Sequence, residues 1–397
     1  MVSTVYRLAV ISRAWWPDIR GGAEKFIHSV SLYLAKRGRF SVDMVTRVFN
    51  IPERDFIQEM IGIGISSVRL VKARRGPLLS SLLFSLEAAA KVNKIKPDAV
   101  LINGYWAESS PLYIDKNIGS IVVVHDIGFL GGSKIRGLRS VKDYARYQII
   151  KRVVRRVDRI IVPSNAVKSD LVEFLEIDSG KIYVLGSLGV DGPFRYEHIE
   201  NDTIDIVHIA RFSPNKAQDL SIKAIENLVN KYRNIRLWLV GGRGVSREDL
   251  EYLENILRTA QRINKELGKE VVKVMLDVKD VGEFYRLADI CIAPSTWAEG
   301  YGLTVVECMA YGKPVIASDV FRETGAADEE RAYIVRKGDP EALAQAIENV
   351  INNKQEAMEK AQKALEYVRR NCNWETVAEK IENVLIDVIG TKKKAGA

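Results

Sequence analysis

Cysteine and histidine are scarce in this sequence. Of its 397 residues three are cysteines, Cys291, Cys308 and Cys372, none of them in a CxxC pair, and four are histidines. An odd count without paired spacing argues against a disulfide framework or a zinc site, and a reducing compartment fits better. No apolar run approaches the roughly 18 residues a membrane-spanning helix needs. No signal peptide is expected, because Arg7–Ile11 already reads as a first strand. No loop that follows a strand carries an Asp-x-Asp metal motif. Apolar residues, by contrast, make up 47%, enough to fill two cores in a chain too long for one ordinary domain.

The net charge of +8 is unevenly spread: Lys134–Arg159 holds ten basic residues against two acidic ones, Asp143 and Asp158. Such a run is either a solvated helix face or a surface for an anionic partner such as lipid headgroups or a phosphorylated acceptor. The tail Thr391–Ala397 is basic, rich in small residues and expected to be mobile.

Short β-branched runs alternate with longer helix-like stretches. Arg7–Ile11, Val42–Thr46, Ala99–Ile102, Ile121–Val124, Ile160–Val162 and Ile182–Leu185 read as strands that are apolar on both faces, as buried parallel strands are. Ala23–Arg37, Ser80–Asn93, Ser140–Val157 and Ala166–Leu175 read as the helices between them. The pattern pauses over Gly186–Thr203 and then restarts, with strands at Ile204–Ile209, Arg236–Val240, Val271–Leu276, Ile290–Ala293 and Pro314–Ala317. This rhythm implies two doubly wound, Rossmann-like α/β domains, 1–190 and 191–372, with a last segment, 373–397, beyond the second sheet. Ligands of open α/β sheets bind at the carboxyl ends of the strands, so the informative residues are those that follow strands.

The strongest such segment is Pro294–Ala317, PSTWAEGYGLTVVECMAYGKPVIA. Gly300 and Gly302 precede an apolar helix whose free amides and positive dipole end suit phosphate or sugar oxygens. Glu307, about one turn into that helix, can accept two hydroxyl hydrogen bonds from a ribose diol. Glu299 lies in the loop, free to meet a sugar ring. The bland alternative is a pair of solvated glutamates. A second segment, ARFSPNKA over Ala210–Ala217, places Arg211 and Lys216 astride a proline loop, where two fixed cations would stabilise a departing diphosphate. An ordinary surface Arg and Lys is the competing reading. Gly21–Gly22 before a helix, and the GGRG of Gly241–Gly244, have phosphate-loop placement without the GxGxxG spacing, and either can be a tight turn. His125, in VVVHDIG, stands at a strand end, whereas His28, His198 and His208 are less well placed.

Together these segments resemble glycosyltransferase family 4 on the GT-B fold. The resemblance runs from GGAE at Gly21–Glu24 through HD at His125–Asp126, VPSN at Val162–Asn165, Arg211 with Lys216, LADICIAPS at Leu287–Ser295 and Glu299 with Glu307, to GKPVIA at Gly312–Ala317 and GDPEALAQAI at Gly338–Ile347. It implies two domains facing across a cleft, with a C-terminal helix, Trp374–Ile389, crossing back to the N-terminal domain. The N-terminal domain would take the acceptor and the C-terminal domain a nucleotide-sugar donor. Glu307 would hold the ribose hydroxyls and Glu299 would face the hexose. Arg211 and Lys216 would stabilise the leaving diphosphate. Backbone amides over Gly300, Tyr301, Gly302, Leu303 and Thr304 would bind sugar or phosphate, with Gly21, Gly22 and Gly242 close to the phosphates. Val278 would edge the base, and His125 would hydrogen-bond the donor sugar. The family retains anomeric configuration and needs no metal or other cofactor. The sequence departs from the family pattern at Ala210 and Ala217, where glycine is usual, and at Asp319–Arg322, where the family commonly has a glycine pair.

The implied enzyme is a cytoplasmic hexosyltransferase acting on a glycan, lipid-linked or small-molecule acceptor. The basic run and the leucine-rich Pro77–Phe84 hint at peripheral contact with an anionic membrane. Nucleic acid is not expected as a partner, since recognition motifs and interleaved aromatics are missing from the basic run. Rival readings are an epimerase on the same fold, a nucleic-acid-binding protein using the basic face, and an inactive scaffold.

Overall fold

The structure, a computed structural model, describes residues 4–18, 21–72, 79–104, 109–126, 141–244, 246–297 and 299–396. The chain divides into two compact units, one of Met1–Gly189 with Trp374–Ala397 and the other of Val190–Asn373.

The first unit is built on seven strands: β1 (Tyr6–Ile11), β2 (Phe40–Thr46), β3 (Ser67–Leu70), β4 (Ala99–Gly104), β5 (Gly119–Val124), β6 (Arg159–Val162) and β7 (Ile182–Val184). Their order is β3-β2-β1-β4-β5-β6-β7, and every pairing is parallel. Leu8, Ala9, Val10 and Ile11 are all fully buried, which explains a continuous apolar run where an amphipathic strand would alternate. Helices α1 (Gly22–Lys36), α2 (Glu53–Gly62), α3 (Leu79–Ile95), α4 (Val141–Arg156) and α5 (Asn165–Leu175) make the crossovers.

The second unit repeats the plan with β8 (Ile204–Ile209), β9 (Ile235–Gly241), β10 (Val272–Leu276), β11 (Ile290–Ala293), β12 (Val315–Ser318) and β13 (Tyr333–Val335) in the order β10-β9-β8-β11-β12-β13, again all parallel. Around this sheet lie α6 (Gln218–Leu228), α7 (Arg247–Leu267), α8 (Gly282–Leu287), α9 (Leu303–Ala310), α10 (Val320–Thr324), α11 (Pro340–Asn352) and α12 (Lys354–Asn371). Helix α7 opens with a capping box: Ser246 Oγ accepts from the Asp249 amide at 3.0 Å and Asp249 accepts from the Ser246 amide at 3.2 Å.

Five elements escape the alternation pattern: α2, β3, α10, β13 and α12. Strand β3 is half-exposed at every position and lies at a sheet edge, and β13 is three residues long at the other sheet's edge, so neither carries a buried-strand signature.

The final helix, α13 (Trp374–Gly396), belongs to the first unit and packs on α1 and β5. Glu382, 2% exposed, anchors it by accepting from Arg37 Nε at 3.0 Å and Arg39 Nη1 at 3.3 Å. The carboxylate holds the Arg37 guanidinium above its usual pKa. The expected mobile tail is instead the end of this helix as far as Gly396. Lys392 reaches Asp158 at 3.0 Å and the Lys116 carbonyl at 2.7 Å, and terminal lysines complement the negative end of the helix dipole.

The basic run is partly spent on internal contacts. Lys151 pairs with Glu176 at 2.7 Å, Arg156 donates to the Ile114 carbonyl at 2.9 Å, and Arg159 pairs with Asp387 at 3.1 Å. Its first residues, 134–140, lie outside the described residues, as do 77 and 78 of the leucine-rich segment. Among the described residues no helix is long and apolar enough to cross a membrane.

Replacing Glu382 with alanine leaves the exposed Arg39 without this carboxylate and the half-buried Arg37 with only Glu375, which it meets at 2.5 Å. Unfolding is expected to become easier by about 1–3 kcal/mol, read as a lower midpoint in a chemical denaturation of the whole chain. An unchanged midpoint would mean that apolar packing alone seats α13.

Candidate functional site

In the second unit β10, β9, β8 and β11 are neighbours and run parallel, so the segments after them emerge along one sheet edge. Those segments carry Val278, Gly242, Arg211 with Lys216, and Glu299. The loop after β8 turns through Pro214–Lys216 and enters α6 at Ala217. Ala217 holds φ +58°, the left-handed region that costs an L-residue about 1–2 kcal/mol, so the glycine usual in the family has a local reason.

Two sequence-distant loops meet there. Lys216 Nζ pairs with Glu299 Oε1 at 2.5 Å, and Ser295 Oγ donates to the same oxygen at 2.8 Å. The Thr296 amide donates to the Asn215 carbonyl at 2.9 Å, which ties the two loops through backbone as well. Glu299 is therefore held by Lys216 and Ser295, and its side chain is only 13% exposed, so it is not the free loop carboxylate that the sequence suggests. Arg211 is exposed in the same loop after β8, its carbonyl taken by Gln218 Nε2 at 3.0 Å.

Gly302 has φ +120°, and a Cβ there would lie 2.6 Å from the Phe321 ring, so only glycine can start α9 in this way. The amides of Leu303 and Thr304 follow in the first turn, where no intrahelical acceptor exists. The Tyr301 side chain points away from any ligand role, since it is 2% exposed and its hydroxyl sits 3.2 Å from that of Tyr367. Only its backbone is available. Gly300 lies between Glu299 and Tyr301 and is half-buried.

Glu307 has a partner that sequence reading missed. Tyr285 Oη, on α8, donates to Glu307 Oε2 at 2.9 Å, and its ring stacks on Tyr311 with centroids 5.2 Å apart. Burial first, and the Glu307 charge second, push the Tyr285 hydroxyl well above its usual pKa, so it remains a donor. The only sequence signal was an aromatic pair, Phe284–Tyr285, in a short helix, which reads as core.

The cysteine reading needs correction. Cys291 and Cys308 form a disulfide across β11 and α9, with Cα atoms 6.5 Å apart, and Cys372 is free and buried. Strand and helix pack directly, which brings together two cysteines whose sequence spacing carries no pairing signal. The bridge closes a ring of chain that includes Glu299, Gly300, Gly302, Thr304 and Glu307. It also removes the cysteine argument for a reducing compartment.

The two glycine pairs separate by role. A Cβ on Gly241 would lie 1.9 Å from the Ala210 carbonyl oxygen, so this glycine permits β9 to approach the end of β8. A Cβ on Gly242 would find only Asp277 Oδ1, at 3.9 Å, leaving its open side for a ligand. Val278, after β10, is half-buried beside Asp277, which pairs with Arg243 at 3.0 Å.

In the first unit Gly21 caps α1 and Gly22 is that helix's first residue. A Cβ on Gly21 would lie 2.2 Å from the Glu24 carboxylate, so the carboxylate itself folds over this helix start. His125 follows β5, half-buried, with its ring edge-on to Phe26 at 5.1 Å between centroids. Its Nε2 is 2.7 Å from Asn103 Oδ1. Asn103 Nδ2 donates to Ser12 Oγ at 3.1 Å and to the Ala23 carbonyl at 3.3 Å. That network assigns the proton to His125 Nε2 and leaves Nδ1 as an acceptor. Burial lowers the His125 pKa to about 4, so the ring is neutral at pH 7. Asn103 is thus a second residue that sequence reading missed.

The family comparison decides the class. Residues 20–191 match the model described as Glycosyltransferase Family 4, and residues 203–353 match Glycosyl transferases group 1. The chain belongs to glycosyltransferase family 4. It is a glycosyltransferase by that membership. Its relatives include the D-inositol 3-phosphate glycosyltransferase of Corynebacterium diphtheriae, 23% identical over 92% of this chain and 90% of that protein. The lipopolysaccharide 1,2-N-acetylglucosaminetransferase of Salmonella typhimurium is 29% identical over 56% of this chain and 61% of its own length. Among solved structures, sucrose-phosphate synthase from Thermosynechococcus elongatus superposes with a TM-score of 0.77 at 20% identity, covering 97% of this chain and 100% of that one. Anabaena Alr3699/HepE, solved in complex with UDP-glucose, gives 0.71 at 18% identity, covering 96% and 100%. These neighbours bear out the GT-B fold, with two parallel-sheet domains.

Two expectations follow for this family 4 enzyme. Tyr285→Phe keeps the stacked ring and deletes the bond to Glu307. It should raise the KM for the donor roughly tenfold, as a hydrogen bond to a charged group warrants, with kcat nearly unchanged; the reverse split would remove Tyr285 from a positioning role. Gly241→Ala should lower thermal stability sharply, while Gly242→Ala should leave it intact and weaken donor binding, a contrast that a melting series with and without nucleotide would measure.

Proposed function

We propose that the enzyme transfers a hexosyl unit from a nucleoside diphosphate sugar, with retention of anomeric configuration and without a bound metal. The acceptor is a glycan, a lipid-linked sugar or a small molecule. The observation that carries this reading is the convergence of Lys216 and Glu299, with Arg211 exposed in the loop after β8 and Glu307 on the helix that follows. Fixed cations at this edge supply the charge stabilisation that a metal would otherwise give to a diphosphate. Neighbours solved with UDP and with UDP-glucose support the donor class.

The chemistry assigned to these residues runs as a front-face substitution. The bond between the anomeric carbon and the β-phosphate oxygen breaks, and its electrons go to that oxygen, which Arg211 and Lys216 stabilise. The acceptor oxygen forms its bond to the same face of the oxocarbenium-like sugar. Its proton passes to the departing phosphate oxygen, so no enzymatic base is required and Glu299 is not a nucleophile. Glu299 orients the sugar hydroxyls, Glu307 binds the ribose diol, and Val278 with Gly242 lines the nucleotide. Backbone amides over Gly300–Thr304 bind phosphate or sugar. In the first unit Gly21 and Gly22 present a helix start, and His125 presents a neutral Nδ1 acceptor after β5.

We place the enzyme in the cytoplasm with peripheral contact at an anionic leaflet. Leu82, Leu83 and Leu86 are 39%, 45% and 40% exposed on α3, which supports an apolar contact there. The disulfide is compatible with this compartment because both sulfurs are buried, at 6% and 1% exposure, and thiol exchange needs access.

Screening nucleotide sugars for thermal stabilisation identifies the donor, because a ligand that binds only the native state raises its stability. With that donor, Lys216→Ala should cut kcat by about 100-fold or more at nearly constant donor affinity, and Glu307→Ala should weaken donor binding. Unchanged turnover in the Lys216 variant removes that lysine from the leaving-group role.

A further inference from the structure

The two cations of the loop after β8 are held very differently. Lys216 is paired with Glu299 at 2.5 Å. Arg211 is exposed, and among the described residues its guanidinium has no hydrogen-bond or ion-pair partner. The region that such a side chain can reach is set by the backbone from which it leaves. That backbone is fixed on both sides of Arg211. The Ala210 amide donates to the Val240 carbonyl at 2.9 Å and the Phe212 amide to the Gly242 carbonyl at 3.0 Å, with the Phe212 ring fully buried. Between these two bonds lies the Arg211 carbonyl, and its donor is Gln218 Nε2 at 3.0 Å.

Gln218 opens α6 and is 1% exposed. Its chain neighbours are both constrained. Ala217 holds φ +58°. The Asp219 amide donates to Tyr252 Oη at 3.1 Å, and Asp219 Oδ1 accepts from that hydroxyl at 2.7 Å. The glutamine side chain therefore starts from a fixed point and reaches back seven residues to the loop. A carbonyl only accepts, so the NH2 end of the amide must face Arg211. This leaves Oε1 buried, with no donor among the described residues. A buried acceptor without a donor costs stability that an apolar side chain of similar length would not. Folding gains nothing from that oxygen, and what the amide supplies is the bond to Arg211. Sites that break a packing rule in this way are where function is expected.

We infer that Gln218 is a positioning residue for Arg211: its buried amide fixes the Arg211 carbonyl and so sets where the exposed guanidinium can meet a departing diphosphate. Gln218 itself touches no substrate. Its role presupposes the leaving-group chemistry proposed for Arg211. A guanidinium that starts from a fixed backbone loses less freedom on gripping an anion, and preorganised charge of this kind lowers a barrier more than it tightens ground-state binding.

The test is a double-mutant cycle on the full chain, with the nucleotide sugar found by thermal screening as donor. Gln218→Met keeps the length of the side chain and removes both the bond to Arg211 and the unpaired oxygen. Its kcat should fall about tenfold, while the stabilisation given by the matching nucleoside diphosphate stays within twofold in apparent affinity. Its melting temperature should equal or exceed that of the wild type. In an Arg211→Ala background the same substitution should cost no further turnover. A general loss of structure would lower kcat in both backgrounds and would lower the melting temperature, so the cycle separates positioning from stability. Wild-type kcat in Gln218→Met, or a tenfold loss that persists beside Arg211→Ala, overturns the role of Gln218 and leaves that of Arg211 standing. Wild-type turnover in Arg211→Ala alone overturns the leaving-group role, and that of Gln218 with it.

Discussion

Parallel, in-register pairing of β8 with β9 and β11 is the constraint on which the candidate site of the second unit depends. Ile209 pairs with Val240, the Ala210 amide bonds to the Val240 carbonyl, and the strands leave the sheet at a common level. Because each strand then yields to a loop, the chemistry of three loops is brought to one edge without any of them being near another in sequence. Gly241 is the local condition for that arrangement, since any side chain would meet the Ala210 carbonyl. The cations and acids of these loops are thus placed by backbone hydrogen bonding before any side chain makes a contact.

On that edge the side chains restrain one another. Glu299 is held by Lys216 and Ser295, and Glu307 by Tyr285, so both acids are oriented by protein groups. Orientation of this kind limits the reorganisation that a site needs when charge develops on a bound group. The Cys291–Cys308 bridge adds covalent closure to the same stretch of chain. It joins the strand that precedes Glu299 to the helix that carries Glu307, so the loop between them has both ends pinned.

The first unit solves a different problem with the same architecture. Its sheet edge presents a neutral His125, fixed in one tautomer by Asn103, and a set of arginines and a lysine after β1, β2 and β3. The returning helix α13 completes the unit, and the Glu382 carboxylate between Arg37 and Arg39 ties chain segments more than 340 residues apart.

The sequence by itself determined the strand–helix alternation, the two-domain division near residue 190, and the selection of Arg211, Lys216, Glu299 and Glu307 as candidates, of which Lys216 and Glu299 meet in the structure. Apolar runs and glycines near charged residues are local properties, and local properties are readable along a chain. Tertiary structure alone decided the partners: Tyr285 on Glu307, Ser295 and Lys216 on Glu299, Asn103 on His125, and the pairing of Cys291 with Cys308. It also decided that the basic tail is helical, because Asp158 and Asp98 wait for its lysines from distant segments. Each of these depends on which strand lies beside which and at what register. That is set by packing of the whole sheet, and no window of sequence contains it.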